Sequence, residues 1–380
     1  MWIFFIALPA SILGLNLFLV WAVWKLFAPR KKLQIAAAGT ALATLLIFAV
    51  SFVGFLLRAH ENPVFAFAWE FLAFVLVPVV YLALWALAGT LLGKIFPKLV
   101  RFKFAFAGTG VAVVFAACIY GFWKFENPRV TYLVWNTETR ELFQVPEKPK
   151  HDPKMRIVAT ADWHLGSRIE RVRTKNFVEL VNAQDPDVVV ISGDLIDGRI
   201  EPVESAKLDE ILREIDAPLG VFAVLGNHEY FGDLAREKAF IRRAGIRLLC
   251  DEHVLVNDGE GTKILFVGRD DATNRARTSL SRLFEKLPVS ATEEIAVFVL
   301  DHQPKGSQEA VSAGANFVFS GHTHAGQLWP ATWLVGLFNP YVHGTWSKAG
   351  TCGYVTSGLG LWHIPYRIGS YSELVVIDVL

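Results

Sequence analysis

Cysteine is scarce in this chain: three residues in 380, Cys118, Cys250 and Cys352. No two of them fall in a CxxC spacing, which excludes a thioredoxin-like redox motif, a zinc ribbon and a disulfide scaffold. Cys118 sits in an apolar run, so at most Cys250 and Cys352 could pair, and free thiols are the expectation. Excess charge is missing too. With 37 Lys and Arg against 36 Asp and Glu, the formal net charge is +1. That balance leaves no basic footprint for a polynucleotide, so no nucleic-acid partner is expected. Internal repeats and low-complexity segments are also lacking, which excludes a repeat array.

Polar relief is missing from the first third. The chain is 53% apolar with a mean hydropathy of +0.37, high for a soluble protein, and the excess lies before Asn127. Four stretches, about 2–24, 33–57, 64–92 and 104–122, each approach or exceed the ~20 residues that a helix needs to cross a bilayer. Glu70, near the start of the third, reads as interfacial, and Pro78 in its middle as a kink. The first stretch lacks a basic leader and is too long for a signal-peptide core, so it reads as a retained helix. Lys25, Arg30, Lys31 and Lys32 follow the first span. Lys94, Lys98, Arg101 and Lys103 follow the third, whereas the loop after the second has only Arg58 and Glu61. Positive loops stay in the cytoplasm. The expectation is therefore a multi-pass membrane protein, with both termini and the C-terminal region outside the cytoplasm. Lys124 and Arg129 weigh against this orientation without reversing it.

The remainder reads differently. Five short β-branched or aromatic runs each stop abruptly at metal-ligand residue types. Met155–Ala161 ends at Asp162-Trp163-His164, and Asp187–Ser192 at Gly193-Asp194-Leu195-Ile196-Asp197. Gly220–Leu225 ends at Gly226-Asn227-His228-Glu229. Ile295–Leu300 ends at Asp301-His302-Gln303-Pro304, and Ala315–Phe319 at Ser320-Gly321-His322-Thr323-His324. A lone His-x-His pair is commonplace on a surface. Five ligand-bearing strand ends in succession are not, and hard oxygens mixed with imidazoles suit Mn, Fe, Zn or a similar divalent ion.

This ordered set resembles the signature of the calcineurin-like metallophosphoesterases, over about residues 150–380. Leu300–Pro304, Ser320–His324 and Ser357-Gly358-Leu359-Gly360 are similar to the bacterial membrane-associated branch. Ala325 departs from that branch, which usually has a glycine there. The resemblance implies a four-layer αββα sandwich and two divalent metal ions. Asp162, His164, Asp194 and His324 would hold one ion; Asp194, Asn227, His302 and His322 the other, with Asp194 bridging. It further implies hydrolysis of a phosphomonoester or phosphodiester by a metal-bound hydroxide. His228 would then be the general acid, and Asp197 the carboxylate that orients it. On spacing alone, Asp197 reads equally well as a loop cap.

The organisation expected is thus a four-helix transmembrane domain over 1–125, a linker with an edge hairpin over 126–154, and an α/β phosphoesterase domain over 155–380. Helical patterns occupy about 176–183, 204–215, 234–244, 279–287 and 307–313. Past Gly326 comes an aromatic segment with Trp329, Trp333 and Phe338, and later Trp362 and His363. Trp and Tyr prefer the depth of a membrane interface, so Trp329, Trp333, Phe338 and His363 are candidates for substrate or membrane contact; core packing is the plainer reading. A lipid-linked phosphate would suit such a loop. Two other functions fit the sequence: hydrolysis of a nucleotide-linked lipid precursor, or non-catalytic binding of a phosphorylated ligand on a membrane sensor or transporter. His60, His151 and His253 have no ligand neighbours in sequence. His343, in the aromatic segment, could touch substrate, with solvation or packing the plainer reading, and Asp270-Asp271 could face the site, though turn chemistry explains them as well.

Overall fold

The computed structural model describes residues 2–26, 31–56, 62–150, 152–166, 168–287 and 295–380. His60 and His151 lie outside the described residues. The chain forms two units, Met1–Phe122 with His363–Pro365, and Trp123–Trp362 with Tyr366–Leu380.

The first unit is helical: α1 (Trp2–Leu26), α2 (Lys31–Leu56), α3 (Pro63–Ile95) and α4 (Lys103–Glu126). The Asn62 side chain caps α3 by accepting from the Val64 amide, with Pro63 in the first turn, where a missing N–H costs nothing. Pro78 lies inside α3, and the helix continues through it. Small residues let neighbours approach: a methyl at Gly110 would overlap the Trp85 ring, whose Nε1 donates to the Phe106 carbonyl at 3.0 Å. Among the described residues, Phe67–Ile95 and Pro97–Glu126 are long and apolar enough to cross a membrane by length and composition.

The second unit opens with β1 (Arg129–Trp135) and β2 (Leu142–Val145), an antiparallel pair. There follow β3 (Met155–Thr160), α5 (Arg171–Asn182), β4 (Val188–Ser192), α6 (Ile200–Ser205), α7 (Leu208–Leu212), β5 (Val221–Val224), α8 (Leu234–Arg243) and β6 (Arg247–Leu248). The second half runs β7 (Glu252–Asn257), β8 (Lys263–Gly268), α9 (Leu280–Glu285), β9 (Ile295–Leu300), α10 (Ser307–Ala313), β10 (Phe317–Ser320) and α11 (Ala331–Gly336). It closes with β11 (Gly344–Lys348), β12 (Thr351–Val355) and β13 (Glu373–Val379). One sheet has the order β2-β1-β13-β3-β4-β5-β6, the other β11-β12-β10-β9-β8-β7.

Side-chain alternation builds the layers. Ile157, Val190 and Phe222 of the first sheet meet Phe266, Phe298 and Phe319 of the second in a core between the sheets. Their neighbours Val158, Val189 and Ile191 face outward onto Phe177 of α5, Leu212 of α7 and Phe240 of α8. Leu265, Val297 and Val318 do the same toward Leu280 and Leu283 of α9 and Ala310 of α10. The result is an αββα sandwich. Because β3, β4, β9 and β10 are covered on both faces, they read as continuous apolar runs.

Two local expectations need correction. The hairpin assigned to a linker is instead part of the first sheet: β1 pairs in parallel with β13 from Arg129–Glu373 to Trp135–Val379. The open edge of the last strand is thereby covered. The single helical pattern over 204–215 breaks into α6 and α7 because Lys207 adopts a left-handed φ of 52°.

Candidate metal centre

In the first sheet β3, β4 and β5 are parallel, and in the second so are β8, β9 and β10, so their C-terminal ends deliver the loops to one edge. The Ser192 hydroxyl stitches the sheets there, donating to the Phe319 carbonyl at 3.1 Å. Immediately beyond the strands the backbone turns sharply. Asp162, His164, Asp194, His322 and His324 all have left-handed φ, between 48° and 70°. Each such residue costs roughly 1–2 kcal/mol, and strain of this kind collects at functional sites. Ala325 is left-handed too, at φ 49°, a conformation that favours glycine. Motif glycines permit the approach of side chains. A methyl at Gly226 would overlap Oδ1 of Asp194, and one at Gly193 would lie 2.7 Å from Nδ1 of His302.

These turns bring the donors together. Nε2 of His164 and Nε2 of His324 are 3.1 Å apart; the latter is 3.7 Å from Oδ1 of Asp162. Nε2 of His302 lies 3.1 Å from Oδ2 of Asp194, and Nε2 of His164 is 3.9 Å from the same oxygen. Ligand atoms lie within 4.8 Å of one another in three groups: Asp162–His164–His324, His164–Asp194–His228, and Asp194–His302–His322. Asp194 belongs to the second and third.

The donor set fits divalent cations on its own chemistry. Oδ1 of Asn227 and Nε2 of His302 are buried without a hydrogen bond, a costly arrangement unless a cation takes their lone pairs. Nδ1 of His302 faces the Ser192 carbonyl at 2.8 Å, so the proton sits there and Nε2 is left as a donor to metal. Two ring nitrogens at 3.1 Å likewise need a proton or cation near them.

Hydrogen bonds tie the ligand loops together. Glu229, fully buried, accepts from the amides of Asp194, Ile196 and Gly226 at 3.2, 3.0 and 2.7 Å, tying two ligand loops together. The amide of His322 donates to both oxygens of Asp162 at 3.1 Å. Oδ1 of Asp197 lies 3.1 Å from Nδ1 of His164 and 2.9 Å from Nδ1 of His228. One carboxylate thus orients two imidazoles.

The titration of the cluster follows its crowding. Burial pushes the Asp162 carboxyl up, against His302 and His164. Desolvation would raise Asp194 also, but His302 and His228 hold it well below the carboxylate range. Burial brings His322 down to about 4, helped by His302, and takes His324 well below its usual value, helped by His164. For His228, burial is outweighed by Asp194, Asp197 and Glu229, which raise it to about 9.

Sequence reading missed Arg367 and Glu373. Arg367 is fully buried; it donates to the carbonyls of Ser357 and Gly358 at 2.7 and 3.0 Å and to that of Gly360, and lies 3.3 Å from Nδ1 of His324. No motif marks it. His343 packs in the same region, 3.1 Å from Glu373. Asp270 accepts from the Tyr230 hydroxyl at 2.6 Å, and Asp271 from Gln303 at 3.0 Å. Among the weaker candidates, Trp329, Trp333 and Phe338 are exposed on and around α11. His363 groups with the helical unit. The three cysteines are free.

A sandwich of two sheets whose parallel strands end in buried Asp, Asn and His donors defines a metal-binding α/β protein. The calcineurin-like phosphoesterase family matches residues 155–326. A metallophosphoesterase of Aquifex aeolicus is 30% identical over 237 residues, which cover 61% of this chain and 88% of the relative. A metallophosphoesterase of Helicobacter pylori strain J99 is 34% identical over 233 residues, 61% of either chain. A transmembrane protein with a metallophosphoesterase domain from Danio rerio is 35% identical over 241 residues, 61% of this chain and 55% of that one. The chain therefore spans little more than half the length of some of these relatives. It belongs to the calcineurin-like phosphoesterases.

Proposed function

We propose that the chain is a membrane-anchored phosphoesterase that hydrolyses a phosphomonoester or phosphodiester at two divalent ions. Asp162, His164, Asp194 and His324 hold one ion, and Asp194, Asn227, His302 and His322 the other. The observation that carries this reading is the pair of buried lone-pair donors without a hydrogen bond, Asn227 Oδ1 and His302 Nε2, among Asp and His side chains whose ligand atoms lie within 4.8 Å of one another. Bound divalent ions supply Lewis-acid polarisation of the phosphoryl oxygens and a nucleophile at neutral pH.

The chain's own residues do the rest. His228 faces Asp197 through Nδ1 at 2.9 Å, which leaves Nε2 as the end that holds a proton for the departing oxygen. Asp197 keeps that ring and the His164 ring in one tautomer. Glu229 fixes the loops of Asp194 and Asn227 against each other, so the bridging carboxylate does not reorganise during the reaction.

All four helices serve as the anchor in this reading. The second unit then lies outside the cytoplasm of a bacterial inner membrane; what supports this is the cluster of Lys and Arg after the first and third apolar stretches. The test is metal analysis of the purified full chain, with aryl phosphate mono- and diesters assayed on wild type and His228→Ala. The expected result is two ions per chain in both proteins, with turnover reduced about 10²–10⁴-fold in the variant. Unchanged turnover in His228→Ala would remove its role as the acid.

A further inference from the structure

The second unit carries an exposed apolar ridge that no donor group uses. Trp333, Leu337 and Phe338 are 69, 75 and 62% exposed, and Trp329, Leu334 and Trp362 more than half. The ridge is built against the metal loop. The backbone of Thr332 packs on Gly326, and that of Trp329 on Gly369. Gln327 and Trp362 exchange hydrogen bonds, Trp362 N to Gln327 Oε1 at 3.0 Å and Gln327 Nε2 to Trp362 O at 3.3 Å.

The same edge of the unit receives the end of α4. Phe125 is buried in the core shared with Trp163 and Phe177. Nζ of Lys124 lies 3.7 Å from the Tyr371 ring centroid, Arg173 stacks on Phe125 at 4.0 Å, and Glu126 pairs with Arg173. Only residues 127 and 128 separate α4 from β1, and two residues reach at most about 7 Å. β1 starts beside Glu373 of β13, and β13 begins where antiparallel β3 ends, at the Asp162 loop. Within the second unit, Lys124–Glu126 thus lie at the edge that carries the metal donors and the ridge. Between Glu309 and Lys348 there is no Asp, Glu, Lys or Arg. Protein interfaces have polar rims and are enriched in Arg, whereas tryptophan with aliphatic neighbours suits the headgroup–acyl boundary.

We infer that this ridge docks on the lipid surface of the membrane that holds the chain, and that the metal centre beside it acts on a phosphate ester carried by a membrane lipid. The substrate class rests on the phosphoesterase reading; the docking does not.

The test uses the full chain in a Cys250→Ser background, with a fluorophore at Leu337→Cys or, as control, at Glu260→Cys in the exposed turn after β7. Each is reconstituted in phosphatidylcholine vesicles with and without nitroxide-bearing acyl chains. The label at 337 should be quenched several-fold more than the label at 260. Equal quenching overturns docking. So does protection of the 337 label from aqueous iodide without lipid quenching, which would mean a protein partner or a second copy. A second arm compares turnover of phosphatidic acid and phosphatidylglycerol in those vesicles with turnover of soluble aryl phosphate esters. Leu334→Glu/Leu337→Glu should lower the lipid-to-soluble ratio about tenfold, the effect of losing ~1.4 kcal/mol of apolar insertion. An unchanged ratio overturns the lipid substrate. Strong quenching at 337 with no turnover of any ester sinks the phosphoesterase reading and leaves docking standing.

Discussion

Acid should destabilise the second unit through one buried carboxylate, Glu373. Its Oε1 accepts from Thr131 at 2.7 Å and Tyr354 at 2.8 Å; its Oε2 accepts from Thr356 at 2.9 Å and the Ser357 amide at 3.0 Å, with His343 at 3.1 Å. Burial alone would raise this carboxyl, but His343 and the hydrogen bonds bring it down to about 2 from 4.5. The folded value lies below the unfolded one. The stabilisation is therefore whole above pH 4.5, declines as the pH falls below that value, and is gone below pH 2. Its size is about 3 kcal/mol at neutral pH, and about 2 of that is lost by pH 3. Urea unfolding of the full chain in detergent micelles, at pH 7 and pH 3, measures it. Other groups titrate in the same range, so the decisive quantity is a difference of differences. The loss between the two pH values should be about 2 kcal/mol larger in wild type than in Glu373→Gln. Glu373→Gln can be less stable at every pH without touching this comparison. Equal pH dependence in the two proteins would refute the assignment.

Asp197→Asn should lower metal occupancy or turnover about 10–100-fold, because one carboxylate orients both His164 and His228; wild-type values in both assays would count against that role. Gly226→Ala should lose metal and cost about 1–3 kcal/mol or more, since the added methyl overlaps Asp194 in a packed site. Retained metal content in that variant would show that the loop can yield. Stripping metal with a chelator from protein held at a thousandfold excess over Kd should lower the unfolding free energy by about 4 kcal/mol, read from the urea midpoint. A midpoint unmoved by chelation would mean that the cluster holds no ion in the folded protein.

The parts of the site legible in the sequence are those where chain order and space coincide. Asp162, Asp194, Asn227, His302 and His322 follow buried parallel strands directly, and a strand covered on both faces announces itself as an unbroken apolar run. Pairing between distant segments is silent. β1 and β2 read as an edge hairpin, which they form, but the partner β13 lies at the other end of the chain, and nothing local records that match. Arg367 is silent for a related reason: a single arginine between Tyr366 and Ile368 looks solvated until the carbonyls of Ser357, Gly358 and Gly360 surround it. Left-handed turns are visible when glycine marks them. At Asp162, His164, Asp194, His322 and His324 they are not, because function fixes the side chain where conformation would prefer none.

That conflict explains how the site is constructed. Five donors sit on strained left-handed turns, and their side chains crowd one another. Hydrogen bonds hold these loops: Glu229 clamps the Asp194 and Asn227 loops, and Arg367 and Glu373 hold the segment that closes over Asp162. The crowded donors face the interior of the cluster, where ions of two positive charges can cancel their repulsion. Donors that only the fold brings together tie the energy of metal binding to the folded state. The fold also keeps the donors in place before the ions arrive, so that little reorganisation is left for the reaction itself.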